Sequence, residues 1–349
     1  MSLQAKRFRN FARLVTRSAI AALACTTVAQ AQGIADFYRG KTVSVVVGYA
    51  PGGGYDIYSR LLARHLSAHI PGKPTVIVQN MPGAAGVVAS NYVYAVAPKD
   101  GTVIAAVDQN IPMFQLLGGK GVQYDIAKVA WLGSIASSNG IAMSWHTTNV
   151  TSINDVKAHE VSIGTTGSND DAYVYAKALN ALVGTQFKII QGYSGTSSVN
   201  IAMENGEVQA MGRSSYYGFA SQRPDWLRDK KINILVQIGL QKQPELGDIP
   251  LFVDLVQGAE EKQIASLVSM PTSIGYSHWL SPDAPADRVR ALQDAYAETL
   301  GDPELLAEAK QQGIEIRPKI ASQMRDLVKA GADTPAPVRA KAAAILGWN

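Results

Sequence analysis

The chain has almost no cysteine: Cys25 is the single one in 349 residues. It lies in an N-terminal segment that is expected to be removed. The remaining chain then has no disulfide and no thiolate, and a core of this size needs no covalent staples. Histidine is also scarce, with five residues. His65 and His69 stand four apart in a helical pattern, a spacing that can hold a metal. The "LSA" between them lacks the glutamate of a metalloprotease, so surface or structural roles are expected. No metal, cofactor or catalytic residue is predicted.

Nucleotide motifs are missing too. No Lys-Ser/Thr pair follows the glycines of "GYAPGGGYD" (48–56), which excludes the phosphate loop. The pattern G-x-G-x-x-G fails at Ile57. "GYSGT" (192–196) falls short of the nucleophile elbow because Thr196 replaces its last glycine.

Long apolar runs are absent. Ser18–Ala29 is too short to span a bilayer. It follows Lys6, Arg7, Arg9, Arg13 and Arg17 and precedes Ala29-Gln30-Ala31. A basic region, a small apolar run and an A-x-A site in this order predict a secretory signal peptide over 1–31. Cleavage is expected after Ala31, giving a mature chain from Gln32 in the periplasm. A lipid anchor at Cys25 is disfavoured, because Ala22 stands where leucine is usual. Strong charge is lacking as well. The net of +4 comes from 32 basic and 28 acidic residues, and five of the basic ones lie in the leader. The rest holds 27 basic against 28 acidic residues, a net of −1, and no nucleic-acid partner is expected.

What the chain does have is alternation. "KTVSVVVG" (41–48), "PTVIVQN" (74–80) and "TVIAAV" (102–107) read as buried strands. "DIYSRLLARHLSAHI" (56–70) reads as a helix, with Ile57, Leu61, Leu62, Leu66 and Ile70 on one face. A further helix is expected from the turn at 80–86 to about Ala97. The pattern recurs: "VSIGTTGSNDD" (161–171) and "FKIIQGYSGTSS" (187–198) each run from strand into turn into helix, the first helix closing on Gly184 and the next near 204–206; further strands are expected at 208–215, 232–239 and 272–282, and helices at about 285–300, 303–312 and 322–330. This predicts an α/β fold with mainly parallel sheets covered by helices. The length suggests two domains. Crossings near 137–144 and 239–250 divide the chain into lobe 1 (32–138 and 245–349) and lobe 2 (139–244).

Four strands feed Gly/Ser-rich turns at helix starts. Ligands of open α/β sheets bind there, and the unpaired N–H groups of a helix's first turn attract anions. The candidate ligand residues are Ala50, Gly52, Gly53, Gly54, Tyr55 and Asp56 in the first loop, and Pro82, Gly83, Ala84, Ala85 and Gly86 in the second. The third offers Thr165, Thr166, Gly167, Ser168 and Asn169, and the fourth Tyr193, Ser194, Gly195 and Thr196. Asp56 and Ser168 also suit helix N-caps. Arg213 follows a strand, where a guanidinium can clamp a carboxylate through two hydrogen bonds. A surface or interdomain ion pair is the competing role. Tyr55, Tyr193, Tyr216 and Tyr217 flank these loops and can offer ring faces or simply packing.

"VVVGYAPGGGYDIYSRLLARHL", "VIVQNMPGAAG" and "AVAPKDGTVI" resemble the Bug-type periplasmic receptors of tripartite tricarboxylate transporters. The likeness continues through "IGTTGSNDDAYVYAKAL", "GYSGTSSVNIAMENGEVQA" and "SHWLSPDAPADRVRAL". It implies a two-lobed, type II-like periplasmic binding fold with the ligand cleft between the lobes. It also implies a small organic acid as ligand (a di- or tricarboxylate, an amino acid or an aromatic carboxylate), a two-subunit membrane permease as partner, a monomeric state and no enzymatic activity. By matching position it places the ligand loops at Ala50–Asp56, Pro82–Gly86, Thr165–Asn169 and Tyr193–Thr196. The chain departs from the family at Tyr55, where threonine or serine is common, and at Asp171, where histidine is common. Two other readings stay open at this point. One is a periplasmic enzyme for a small anion using Asp56, Asp171 or Ser194. The other is a sensory receptor that signals to a membrane kinase.

Overall fold

In the first strand Val45 and Val47 pack to one side of the sheet and Val46 to the other, so both faces are covered and the run is apolar throughout. A computed structural model describes residues 33–168 and 170–348. The expected leader and Asn169 lie outside the described residues. The strands are β1 (Thr42–Val47), β2 (Thr75–Asn80), β3 (Val103–Ala106), β4 (Ala130–Ser134), β5 (Gly140–Trp145), β6 (Val161–Thr165), β7 (Phe187–Gln191), β8 (Ala210–Arg213), β9 (Ile232–Ile238), β10 (Ser277–Leu280) and β11 (Lys319–Ile320). The helices that matter for the site and its support are α1 (Gly54–His69), α2 (Asp171–Val183), α3 (Thr196–Glu204), α4 (Ala259–Ile274), α5 (Ala286–Gly301), α6 (Ala321–Ala332) and α7 (Ala336–Leu346).

Two sheets form, ordered β11-β4-β10-β3-β1-β2 and β7-β6-β8-β5-β9. In the first, β1 is parallel to β2 and β3, while β10 runs antiparallel to both β3 and β4. In the second, β6 is parallel to β7 and β8, and β5 is antiparallel to β8 and β9. Each sheet thus has most strands pointing one way with a reversed strand inserted, and in the first sheet β11 adds a second reversed strand at the edge beside β4, a mixed form of the expected mainly parallel sheet. Both sheets repeat one plan. Three successive parallel strands lie in the order second, first, third; a reversed strand follows, and then a fourth forward one.

The first sheet takes its strands from residues 42–134 and 277–320, and the second from 140–238. Helical cover does not follow that division. Helices α4 and α7 pack on α2 and on each other, and one apolar cluster joins Val46 and Ala105 of the first sheet to Ile163 and Val236 of the second. Two expectations need correction. The helix after residue 86 is broken into a 3-10 turn (Ala84–Gly86), a short α segment (Val87–Asn91) and a π turn (Tyr92–Val96). Of the strand expected over 272–282, residues 272–274 belong to α4. That helix stops at Gly275, whose φ of 58° favours glycine, and a Cβ there would stand 2.1 Å from the Ala136 carbonyl oxygen.

Candidate functional site

Strand order reverses beside β1 in the first sheet and beside β6 in the second. The loops leaving β1 and β3 therefore diverge to opposite faces and open a crevice at the strands' carboxyl ends. The loops leaving β6 and β8 do the same. Candidate ligand residues belong at these two openings.

In the first sheet the crevice is bounded by the 48–56 loop and by Asp108, Gln109 and Asn110. Tyr49 and Tyr55 stack with ring centroids 5.0 Å apart. The Tyr49 hydroxyl donates to Asp108 Oδ2 at 2.6 Å, and the Tyr55 hydroxyl accepts from the Gln109 N–H at 2.8 Å. Burial pushes the Asp108 carboxyl up despite these bonds. Asp56 is buried within α1 and ties the loops together. It accepts from the Gly52 N–H at 2.8 Å, from Arg60 Nε at 2.9 Å and from Asn80 Nδ2 at 2.9 Å. Asn80, at the end of β2, also donates to the Tyr49 carbonyl at 2.9 Å. The Asp56 carboxylate is thus committed to shaping the loop. Gly53, not Asp56, occupies the N-cap of α1.

The second loop is strained. Ala84 and Ala85 have φ of 45° and 50°, left-handed values that cost energy for any residue with a Cβ. Gly86 is pressed against the end of β1, where a Cβ on Gly48 would lie 2.8 Å from its Cα. Ala84 and Ala85 border a cavity of about 10 Å³, room for one water-sized group, with Asp108, Asn110, Phe114 and Trp348.

In the second sheet, Thr165 ends β6 and Asp170 caps α2 by accepting from the Ala172 N–H at 2.7 Å. The cap is therefore Asp170, whose short side chain reaches the free N–H, and not Ser168. The Ser168 carbonyl instead accepts from Trp348 Nε1 at 3.2 Å. The fourth loop is braced by Ser198, whose hydroxyl donates to the Gly195 carbonyl at 2.7 Å at the start of α3. Ser194 and Thr196 are exposed there.

Arg213 ends β8 and is only 8% exposed. It donates to Gln222 Oε1 at 2.6 Å, and its guanidinium lies 5.6 Å from the Phe219 ring centre. Among the described residues it forms no ion pair, and burial lowers its pKa to about 10. A buried cation without a counter-ion is costly. Nearby, Ser215 caps the helix Tyr216–Gln222 and shares a 2.7 Å hydrogen bond with Ser138. Tyr217 faces outward: its hydroxyl donates to Glu245 at 2.6 Å, and Arg317 sits 4.8 Å above its ring.

The two openings face each other. The Tyr276 ring stacks on Tyr58 at 4.1 Å and meets Tyr55 edge-on at 5.0 Å. A Cβ on Gly54 would stand 2.7 Å from the Tyr276 hydroxyl, and one on Gly218 would stand 2.8 Å from it. The hydroxyl is thus lodged between the start of α1 and the second lobe. Burial raises its pKa to about 12, against the opposing pull of Arg213. On the other side Asn110 Nδ2 and Gln109 Nε2 donate to Asp171 Oδ1 at 3.0 and 3.3 Å. Desolvation, with Asp108 and Asp170 adding repulsion, raises Asp171 to about 8.

The structure therefore brings the first, second and third loops near one another, with Arg213 close to Tyr276, while Tyr193 packs beside Gly164 at the base of the fourth. Sequence reasoning missed Tyr49, Asp108, Gln109, Asn110, Ser215 and Tyr276. "VDQN" does follow a strand, at the same place as the other loops, but without glycine to mark it.

No protein-family model matches the chain. A curated relative, the "UPF0065 protein in gbd 5'region" of Cupriavidus necator, is 28% identical over 268 residues, covering 74% of this chain and 77% of that one. The periplasmic binding protein BugD superposes with a TM-score of 0.66 over 89% of this chain and 99% of its own, at 20% identity. This is the fold of the Bug-type receptors. An R. palustris protein solved with adipate shares it, with a TM-score of 0.65 over 88% of this chain and 97% of its own, at 20% identity. The Bug-type resemblance drawn from the sequence motifs stands.

Proposed function

We propose that the chain is a periplasmic receptor that captures a small organic carboxylate between its two lobes and hands it to a two-subunit permease. The observation that carries this reading is Arg213, a buried guanidinium at a strand end near Tyr276 that forms no ion pair among the described residues. A ligand carboxylate supplies the missing charge through paired hydrogen bonds. Hydroxyls of Ser215 and Tyr276 and N–H groups of the glycine-rich loops complete the donor set. The adipate bound by the R. palustris protein supports the ligand class, and the description of BugD supports the compartment. No helix among the described residues is long and apolar enough to cross a membrane. The lobes are taken as 32–138 with 245–349, and 139–244, moving about the segments that join β4 to β5 and β9 to α4. The receptor acts as a monomer, and ligand drives closure because only the closed form engages it from both sides.

The test is a thermal-shift screen of the mature chain, refolded to strip carried-over ligand, against carboxylates and phosphate esters. A ligand at a hundred times its Kd stabilises by about 2.7 kcal/mol. Arg213→Ala should weaken the best carboxylate by about 2–5 kcal/mol in calorimetry with the fold unchanged. Response to phosphate esters alone, or unaltered affinity in the variant, sinks the reading.

A further inference from the structure

We propose that Trp348 is a positioning residue for the ligand: it fixes the third ligand loop through Ser168 and couples that loop to the second one. This rests on the receptor reading above and concerns how the same cleft is held. Helix α7 ends at Gly347, whose left-handed φ of 71° suits glycine, and the Trp348 N–H donates back to the Ala343 carbonyl at 3.0 Å. This closing turn sets the direction in which the Trp348 side chain leaves the helix. Helix α7 itself packs on α2 and α4. Its closing glycine lies by Tyr173 of α2, where an added Cβ would stand 3.5 Å from the hydroxyl.

The indole then joins three parts of the molecule. Its Nε1–H donates to the Ser168 carbonyl at 3.2 Å, in the loop between β6 and α2. Its ring meets Phe114 edge-on, with centroids 5.2 Å apart and planes at 78°. Phe114 belongs to the helix Ile111–Leu116, which follows β3. The indole also borders the small cavity beside Ala84 and Ala85 of the second loop. The third loop belongs to the second sheet, whereas Phe114 and the second loop belong to the first. One buried side chain therefore spans both. The other bonds of the third loop are local: Thr166 Oγ1 donates to Asp170 Oδ2 at 2.5 Å, and Thr165 Oγ1 to the Gly167 carbonyl at 3.2 Å. Local bonds shape a turn without fixing where it sits. The bond from Trp348 crosses 180 residues and does fix it. Asn110 and Gln109 hold Asp171, at the start of α2, from the same side. A loop already held in place loses less freedom when it takes up a ligand, and the complex lasts longer. Movement of one lobe against the other alters the surroundings of Trp348, because its hydrogen bond and its ring contact lie on opposite lobes. Trp131 and Trp279 sit instead within strands of the first sheet, and Trp145 and Trp226 pack on each other at 4.8 Å in the core of the second.

The experiment uses the mature, ligand-stripped protein labelled with 5-fluorotryptophan, which carries five fluorine reporters. The probes are the linear mono- and dicarboxylates from acetate to adipate. The tightest of them should shift the Trp348 signal more than the other four. Trp348→Phe assigns that signal by its absence, keeps a ring against Phe114 and removes the indole N–H. Its affinity for the same acid should fall about three- to tenfold, mainly through faster dissociation in stopped flow. A merely structural tryptophan would lower the melting point of the ligand-free chain and leave the dissociation rate unchanged. Phe114→Leu keeps the indole and removes its edge-on partner. It should move the Trp348 signal before any probe is added, which identifies the signal independently, and it should also speed dissociation. Binding without movement of the Trp348 signal overturns the proposal and leaves the receptor reading standing. A folded Trp348→Phe protein with the wild-type dissociation rate does the same. Silence of every probe removes the receptor reading itself and the proposal with it, so the two failures are separable.

Discussion

At the residue scale, Asp171 sets a pH dependence that can be measured without any ligand. Its carboxyl titrates at about 8 in the folded chain, against about 3.9 when unfolded. Between those values the native state holds a proton that the unfolded chain has lost, so stability falls as pH rises through the window. Asp108 is raised by burial too and contributes with the same sign. Asp171→Asn should flatten the decline in unfolding free energy between pH 5 and pH 8, leaving the part owed to Asp108. Denaturant titrations at the two pH values are the check, and equal slopes for variant and wild type refute the assignment. Asp56 behaves in the opposite sense. Hydrogen bonds from Arg60, Gly52 and Asn80 outweigh its burial and lower its pKa, so its contribution is present above about 3.9 and lost as pH falls through its folded value.

At the element scale, the glycines that begin α1 are not equivalent. Gly53 has open space, its nearest contact to an added Cβ being 4.0 Å away, whereas Gly54 abuts the Tyr276 hydroxyl at 2.7 Å. Gly54→Ala should push Tyr276 out of the cleft, costing about 1–3 kcal/mol of stability and weakening ligand binding. Gly53→Ala should change either quantity far less. Two thermal melts and two titrations decide it, and similar losses in both variants would mean that contact with Tyr276 is not the cause. The three glycines thus have a reason beyond turn formation at one of them: Gly54 lets a tyrosine from distant sequence reach the start of the helix. The elements themselves were largely legible. β-Branched runs marked β1, β2, β3, β6 and β9, and Gly184 marked the end of α2, where its φ is 78°. Helix α4 was not legible, because its apolar residues serve both the first lobe and α2, which blurs any single face. The break at Ala84 was hidden for a different reason. Two alanines read as good helix formers, yet both are left-handed in the turn that leads to Gly86 and its close approach to the end of β1.

At the scale of the whole molecule, the outer rim carries a link between parts remote in sequence. Arg317 pairs with Glu245 at 2.6 Å, and Tyr217 donates to the same carboxylate. These groups are more than a third exposed, so the link is worth about 0–1 kcal/mol. Glu245→Ala should therefore change ligand affinity by no more than a few fold, with a larger effect at low salt. A loss of a hundredfold in calorimetry would show that the rim, not the buried cleft, governs closure.

The sequence by itself determined the local alphabet: which runs become strands, where glycine opens a turn, and that loops at strand ends present N–H groups to an anion. Those properties depend on backbone conformation and on neighbours a few residues away. Tertiary structure alone decided which strands in each sheet are reversed, that Asp108 meets Tyr49 across 59 residues, and that Asn110 reaches Asp171 across 61. It also decided that Arg213 is buried without an ion pair while Asp171 stands near Asp108 and Asp170. Desolvation and unpaired charge are properties of an enclosed volume, and that volume exists only once both lobes are folded and facing each other.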